Sequence, residues 1–296
     1  MARYRRKKYR KEKSWKERVK ELSKVLEEGV ENFQYTPEEF KALLETKALM
    51  PNYSFRNIML AKAQFPNGSF FASMKRWNEL GRKVKKGSKA IWIFAPRFKT
   101  VEDEETGEET TELAGFLTVP VFAYEQTEGE PLPIDKLRRI LEGDTPEARQ
   151  IIRWAEKIAE RDNCKVSYGH AEGANGYYIP GLHEIVIEES LPTNHRCKTL
   201  VHELVHSRIH RNDKHSTSAE KEIVAEGVAF IVCCYFGLDT SNFSFSYVHS
   251  WKDNKDEPLL MKYGTIICDT AGALIREFQE LKEQEEQQRE NKSKTA

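Results

Sequence analysis

The chain has no net charge to speak of, since 47 lysines and arginines are matched by 47 aspartates and glutamates. That balance excludes a function carried by overall charge and leaves local charge blocks as the informative signal. Cysteine is scarce and odd in number, with five scattered at 164, 197, 233, 234 and 268, so no disulfide framework is expected. No apolar run has the length and flanks of a membrane span, and the N-terminus lacks an apolar signal core. These absences predict a reduced, cytoplasmic protein with no membrane partner. No internal repeat is evident, and 296 residues accommodate two domains with a sizeable core.

What the chain does have is a five-residue stretch, His202-Glu203-Leu204-Val205-His206. On an α-helix, residues four apart share a face, so His202 and His206 can hold one ion between them. Glu203 lies about 100° round from His202, which puts its carboxylate beside the metal rather than on it, where a general base is needed. Leu200, Val201, Leu204, Val205 and Ile209 form the apolar stripe that buries the other side of the helix.

Downstream, Ile223 to Phe236 is almost continuously apolar, with Glu226 its one charge and Glu222 just before it. A helix so apolar is buried, and a buried carboxylate without a partner is costly. The economical assignment makes Glu222 the third metal ligand, with Glu226 accepting the far ring N–H of a ligand histidine. Ser218 and Glu220 read as helix-start chemistry. Two histidines, one carboxylate and an open position describe a catalytic zinc site rather than a structural one. His210 reads as a polar residue at a helix end, and His215 as solvated. Gly176–Gly181 reads as a turn, followed by a strand over His183–Ile187 whose free edge could pair with a peptide. Tyr247 and His249 are the candidate oxyanion donors, although Tyr247 and Trp251 equally fit core packing.

The first half differs. A helix is expected from Tyr53 to Pro66 and a shorter one over Ser73–Leu80, with Trp77 facing inwards. Seven basic residues then crowd Lys75 to Lys89 against one acid, Glu79: Lys75, Arg76, Arg82, Lys83, Lys85, Lys86 and Lys89. This turn runs into the strand Ala90–Phe94, which carries Trp92. Such a basic turn beside aromatic rings could track a phosphate backbone while the rings stack on bases, and it equally fits a solvated loop. Residues 1–20 add eleven lysines and arginines against Glu12 and Glu17.

These motifs resemble the ArdC antirestriction family. The resemblance rests on the Y-x-x-x-N helix at Tyr53, the W-x-x-x-G helix end at Trp77, the V-K-K-G turn and the strand after it. It continues through the HELVH helix, the E-I-V-A-E helix at Glu222 and the segment Tyr247–Trp251. It implies an α+β chain of two domains, a small single-stranded-DNA-binding module and a mainly helical, zincin-like (gluzincin) metallopeptidase domain with a small sheet. The expected layout is a basic arm at 1–14, the module at 15–127, the peptidase at 134–285 and a polar tail at 286–296. Helices are expected within the peptidase at about 134–142 and 145–162, with a closing helix or helix pair at 258–285.

The resemblance makes His202, His206 and Glu222 zinc ligands and Glu203 the base. It also implies carriage by a mobile element or phage and protection of incoming DNA, with a protein or peptide of unknown identity as substrate. The acidic run 102–112 departs from the family pattern. Two other readings fit the residues: a regulatory peptidase of the ImmA type that cleaves a repressor, and a DNA-binding protein whose metal site is not catalytic.

Overall fold

A computed structural model of the chain describes residues 15–102, 109–132, 144–238, 243, 245–253 and 259–294. The expected basic arm 1–14, the helix over 134–142 and the middle of the acidic run lie outside the described residues.

The first half opens with α1 (Trp15–Glu31), α2 (Pro37–Leu49) and α3 (Phe55–Gln64). Local chemistry sets the starts of α2 and α3. The Thr36 and Ser54 hydroxyls accept from the backbone N–H groups of Glu39 and Asn57, and Pro37 sits where no N–H is needed. After β1 (Phe71–Ala72) comes α4 (Met74–Glu79), the expected short helix. Trp77 is fully buried there, and its indole N–H donates to the Phe122 carbonyl at 2.9 Å. Gly81 ends the helix at φ +72°, a conformation that favours glycine.

The next strands are β2 (Arg82–Val84), β3 (Ile91–Glu102), β4 (Glu109–Ala123) and β5 (Thr127–Gly129). β3 and β4 form a long antiparallel ribbon, β1 pairs with the base of β4, and β2 pairs with β5 in a separate small sheet. α3 covers the outer edge of β3. The Asn57 amide exchanges hydrogen bonds of 2.8 and 2.9 Å with the Phe94 backbone, and the Gln64 amide does so with Trp92 at 2.8 and 3.0 Å. The asparagine of Y-x-x-x-N therefore stands in for a missing strand and keeps that edge from pairing elsewhere.

The second half starts at α5 (Pro146–Arg161), capped by Thr145. A three-stranded sheet follows, made of β6 (Lys165–Gly169), β7 (Gly176–Ile179) and β8 (Glu184–Glu188) in the order β6-β8-β7. Two expectations change here. Gly176–Ile179 is a strand rather than a turn, and the strand at 184–188 is central, so β7 supplies the free edge. Tyr177 and Tyr178 suit a pleated strand, whereas Pro180 and Gly181 carry the turn signal.

α6 (Thr193–Val205) runs into a π-helical turn, His206–His210. α7 (Ser218–Tyr235) begins with a capping box in which the cap is Thr217, not Ser218, paired with Glu220. α8 (Leu259–Lys294) is one helix that continues past the expected stop at 285. Among the described residues no helix is long and apolar enough to cross a membrane, and all five cysteines are free.

The hydrophobic core does not divide at 127–134. α2 and α3 pack directly on α7 and α8, the helices of the second half. Phe40 of α2 meets Phe245 and Trp251 edge-on, each at 5.4 Å, and Trp251 stacks on Tyr263 of α8 at 5.5 Å. Phe55 of α3 fills the space that a side chain at Gly264 would need, its ring lying 2.3 Å from that Cβ position. We therefore expect Gly264→Ala to be destabilising. Better helix propensity contributes at most about 1 kcal/mol, while overpacking a closed core costs about 1–3 kcal/mol or more at so short a distance. Urea unfolding checks the sign, and a more stable variant would show that the two halves do not share this contact.

Candidate metal centre

The apolar stripe of α6 buries Leu200, Val201, Leu204 and Val205, which turns His202 and His206 together towards α7. Their Nε2 atoms lie 3.1 Å apart. α7 is buried along most of its length and presents Glu222 from its second turn. Its two carboxylate oxygens lie 3.2 Å from His202 Nε2 and 3.2 Å from His206 Nε2. One donor atom from each of the three residues falls within 4.8 Å of the others. Two imidazoles and a carboxylate suit a divalent cation of the zinc class, and three protein donors leave a coordination position open. The expected triad is thus brought together.

Around it sit groups that tune the ligands. Glu226 lies with one oxygen 3.4 Å from His202 Nδ1 and the other 3.0 Å from Lys198 Nζ. Burial opposes charge on His202, but the Glu222 and Glu226 carboxylates outweigh it and push His202 up to about 9. The two imidazoles in turn hold Glu222 well below the usual carboxylate range.

His210, expected to be a plain helix-end residue, has a place here. The π-helical turn brings its Nδ1 to 2.9 Å from His206 Nδ1, the nitrogen that faces away from the triad. Burial and the neighbouring His206 push His210 down to about 4, so at neutral pH it is uncharged and can accept that proton. The His206–His210 spacing in the sequence already carried this signal.

Glu203 is buried, and burial raises its proton affinity, partly offset by the two histidines. The Tyr178 backbone N–H donates to its carboxylate from the edge strand β7. α6 and β7 thereby frame a cleft of about 350 Å³, with Tyr177, Tyr178, His210 and Lys221 in its wall beside the triad. Gly176 brings strand and helix close, because a Cβ there would lie 2.8 Å from both Thr199 Cγ2 and the Val186 carbonyl oxygen. The Tyr178 hydroxyl pairs with His183 Nδ1 at 2.8 Å, and the Lys221 ammonium donates to the Asp213 carbonyl.

His249, one of the two expected oxyanion donors, does not line this cleft. His249 is exposed on a 3₁₀ segment, Ser246–Asp253, that packs on α2 and α8. Trp251 is a core residue, and the Tyr247 side chain lies outside the described residues. Tyr177, Tyr178 and Lys221 are donor-bearing residues that do line the cleft. Sequence reasoning missed them because β7 read as a turn and Lys221 was given no role.

The basic turn separates into two kinds of residue. Lys75, Lys83, Lys86 and Lys89 are exposed, as is Arg76 in its pair with Glu79 at 3.1 Å. Lys85 is exposed and reaches the Glu125 carbonyl at 3.0 Å. Arg82 is buried, against expectation. Its guanidinium donates to Thr127 Oγ1 at 2.8 Å and to the Gly129 carbonyl at 3.0 Å, and it lies 4.2 Å over the Tyr124 ring. That charge ties β2 to β5 and does not reach the surface. Trp92 is half-buried, with the Arg18 guanidinium 4.6 Å over its ring.

Residues 12–124 match the family model for the N-terminal domain of the anti-restriction factor ArdC. Over its full alignment the chain is 27% identical to an uncharacterized protein of Bacillus anthracis, covering 94% of this chain and 55% of that protein. The chain therefore spans about half the length of the curated relative it matches. Two crystal structures of the antirestriction ArdC protein from the R388 plasmid are also similar. The metal-free form is 23% identical with a TM-score of 0.48, over 75% of this chain and 84% of that one. The Mn(II)-bound form is 22% identical with a TM-score of 0.46, over 75% and 83%.

Proposed function

We propose that this chain, whose residues 12–124 match the family model for the N-terminal domain of the anti-restriction factor ArdC, binds single-stranded DNA with that domain and hydrolyses a peptide bond at a zinc centre in its second half. The observation that carries the peptidase reading is the convergence of His202, His206 and Glu222 with the buried carboxylate of Glu203 beside them. We assign residues 15–127 to the DNA-binding module and 134–285 to the gluzincin-type unit, two functional parts resting on one core. Protection of incoming DNA is the role this combination serves.

His202, His206 and Glu222 hold the ion, and zinc is favoured over manganese because nitrogen-rich donor sets bind it more tightly. When bound, a divalent cation supplies Lewis acidity that polarises the scissile carbonyl. Glu203 takes the proton of the attacking water and passes it to the leaving amine, and its raised proton affinity suits both transfers. The Tyr178 N–H keeps its carboxylate aimed into the cleft. An extended peptide pairs along the free edge of β7, with Lys221 in the cleft wall as the cation available to the developing oxyanion.

For the DNA part, the exposed lysines of the basic turn follow the phosphate backbone. A Lys83→Glu, Lys85→Glu, Lys86→Glu variant is expected to bind a labelled single strand at least about tenfold more weakly at low salt. Each lost phosphate contact also removes about 0.7 from the slope of log affinity against log salt. Fluorescence anisotropy across a salt series measures both. Unchanged affinity and slope would remove the turn from the DNA surface.

A further inference from the structure

Of the large apolar side chains that stay exposed, one group sits together on a single element, the outer half of the β3–β4 ribbon. Phe98 is 59% exposed, Leu113 54% and Phe116 45%. The register puts them together, with Phe98 opposite Leu113 and Pro96 opposite Phe116. Strand alternation places Trp92, Phe94, Pro96 and Phe98 on that same face, and the Phe94 and Phe116 rings meet edge-on at 6.3 Å. Isolated exposed apolar residues need no explanation, but a contiguous row of rings does.

We propose that this face is a stacking platform for the bases of a single DNA strand, an inference that rests on the single-stranded-DNA reading above and extends it beyond the basic turn. Charge selects the occupant. The exposed lysines at 83, 85, 86 and 89 lead straight into β3, so the phosphate track ends where the rings begin. Arg18 lies over Trp92 at the same end. Towards the far end the two strands turn acidic in sequence, with Glu102 in register with Glu109, and Glu112 pairs with Lys99 at 3.2 Å.

Spacing agrees with this occupant. Same-face residues on a strand lie about 6.6 Å apart, twice the roughly 3.4 Å rise of stacked nucleotides, so rings and bases can alternate. Stacking on aromatic side chains is tolerant of sequence, which fits a surface offering rings and few directed hydrogen-bonding groups.

The test uses the full chain and two fluorescein-labelled probes, an oligothymidylate and an abasic strand of equal length. Wild type is expected to prefer the oligothymidylate. Phe98→Ala, Phe116→Ala should weaken binding to it by at least about tenfold and erase the preference, leaving abasic binding and the salt slope unchanged. Phe98→Tyr, Phe116→Tyr should restore both. Both ring positions are largely exposed, so the substitutions spare the core. Equal affinity of the alanine variant and wild type for both probes overturns the proposal. So does a shift from oligomer to monomer with DNA binding intact, which would assign the face to a second copy of the chain. Failure of wild type to bind either probe at low salt would instead sink the DNA reading itself.

Discussion

Glu203→Gln should leave ion binding intact and lower hydrolysis of an unfolded substrate such as casein by about 100- to 10,000-fold, the usual worth of a positioned general base. Glutamine has nearly the same shape, and its amide oxygen still accepts the Tyr178 backbone N–H, so the cleft keeps its form. What it loses is the capacity to take a proton. Because Glu203 stands apart from the three donors that converge, occupancy should not fall. The measurement pairs turnover with metal content on the same preparation. Equal turnover in variant and wild type would show that another group is the base. A wild type that binds metal and DNA yet cleaves nothing would favour the non-catalytic reading.

The second large effect is on the ion itself. A His202→Ala, His206→Ala variant retains one carboxylate of the triad and should lose stoichiometric binding, with affinity lower by more than about 1,000-fold. The pH dependence follows from His202, which is held at about 9 while no ion is bound. Below that value the ring carries a proton that the cation must displace. Each unit of pH lowered from 9 towards 7 therefore weakens apparent affinity by about tenfold, and binding at pH 7 releases about one proton from this ring. Calorimetry in two buffers of different ionisation enthalpy reads the proton directly. Release of none by wild type would mean that His202 is already neutral before the ion binds or is not a ligand.

How much of this was legible depends on the range of the forces involved. Periodicity and buried charge are local signals, and they sufficed for α6, α7 and the pairing of His202 and His206 with Glu222, because a carboxylate beside an apolar helix has few destinations. α3 and α4 were readable from Ser54, Ser73 and Gly81, whose cap and stop chemistry acts within one turn. Long-range facts were hidden. Nothing in Arg82 distinguishes it from Lys83, since its burial depends on Thr127 and Gly129, which are distant in sequence. β8 could not be told from an edge strand without knowing that β6 and β7 flank it. The join between halves, Phe40 on Trp251 and Phe55 on Gly264, is tertiary and leaves no local mark in the sequence. His210 read as a polar residue at a helix end, whereas the π-helical turn sets its ring against His206.

The central claim concerns one ion, and anomalous diffraction at the zinc edge from crystals of the full chain grown with zinc addresses it most directly. The account predicts one strong peak per chain, about 2.0–2.2 Å from His202 Nε2, His206 Nε2 and a Glu222 oxygen. A peak elsewhere, or none at these three side chains under saturating zinc, would contradict it.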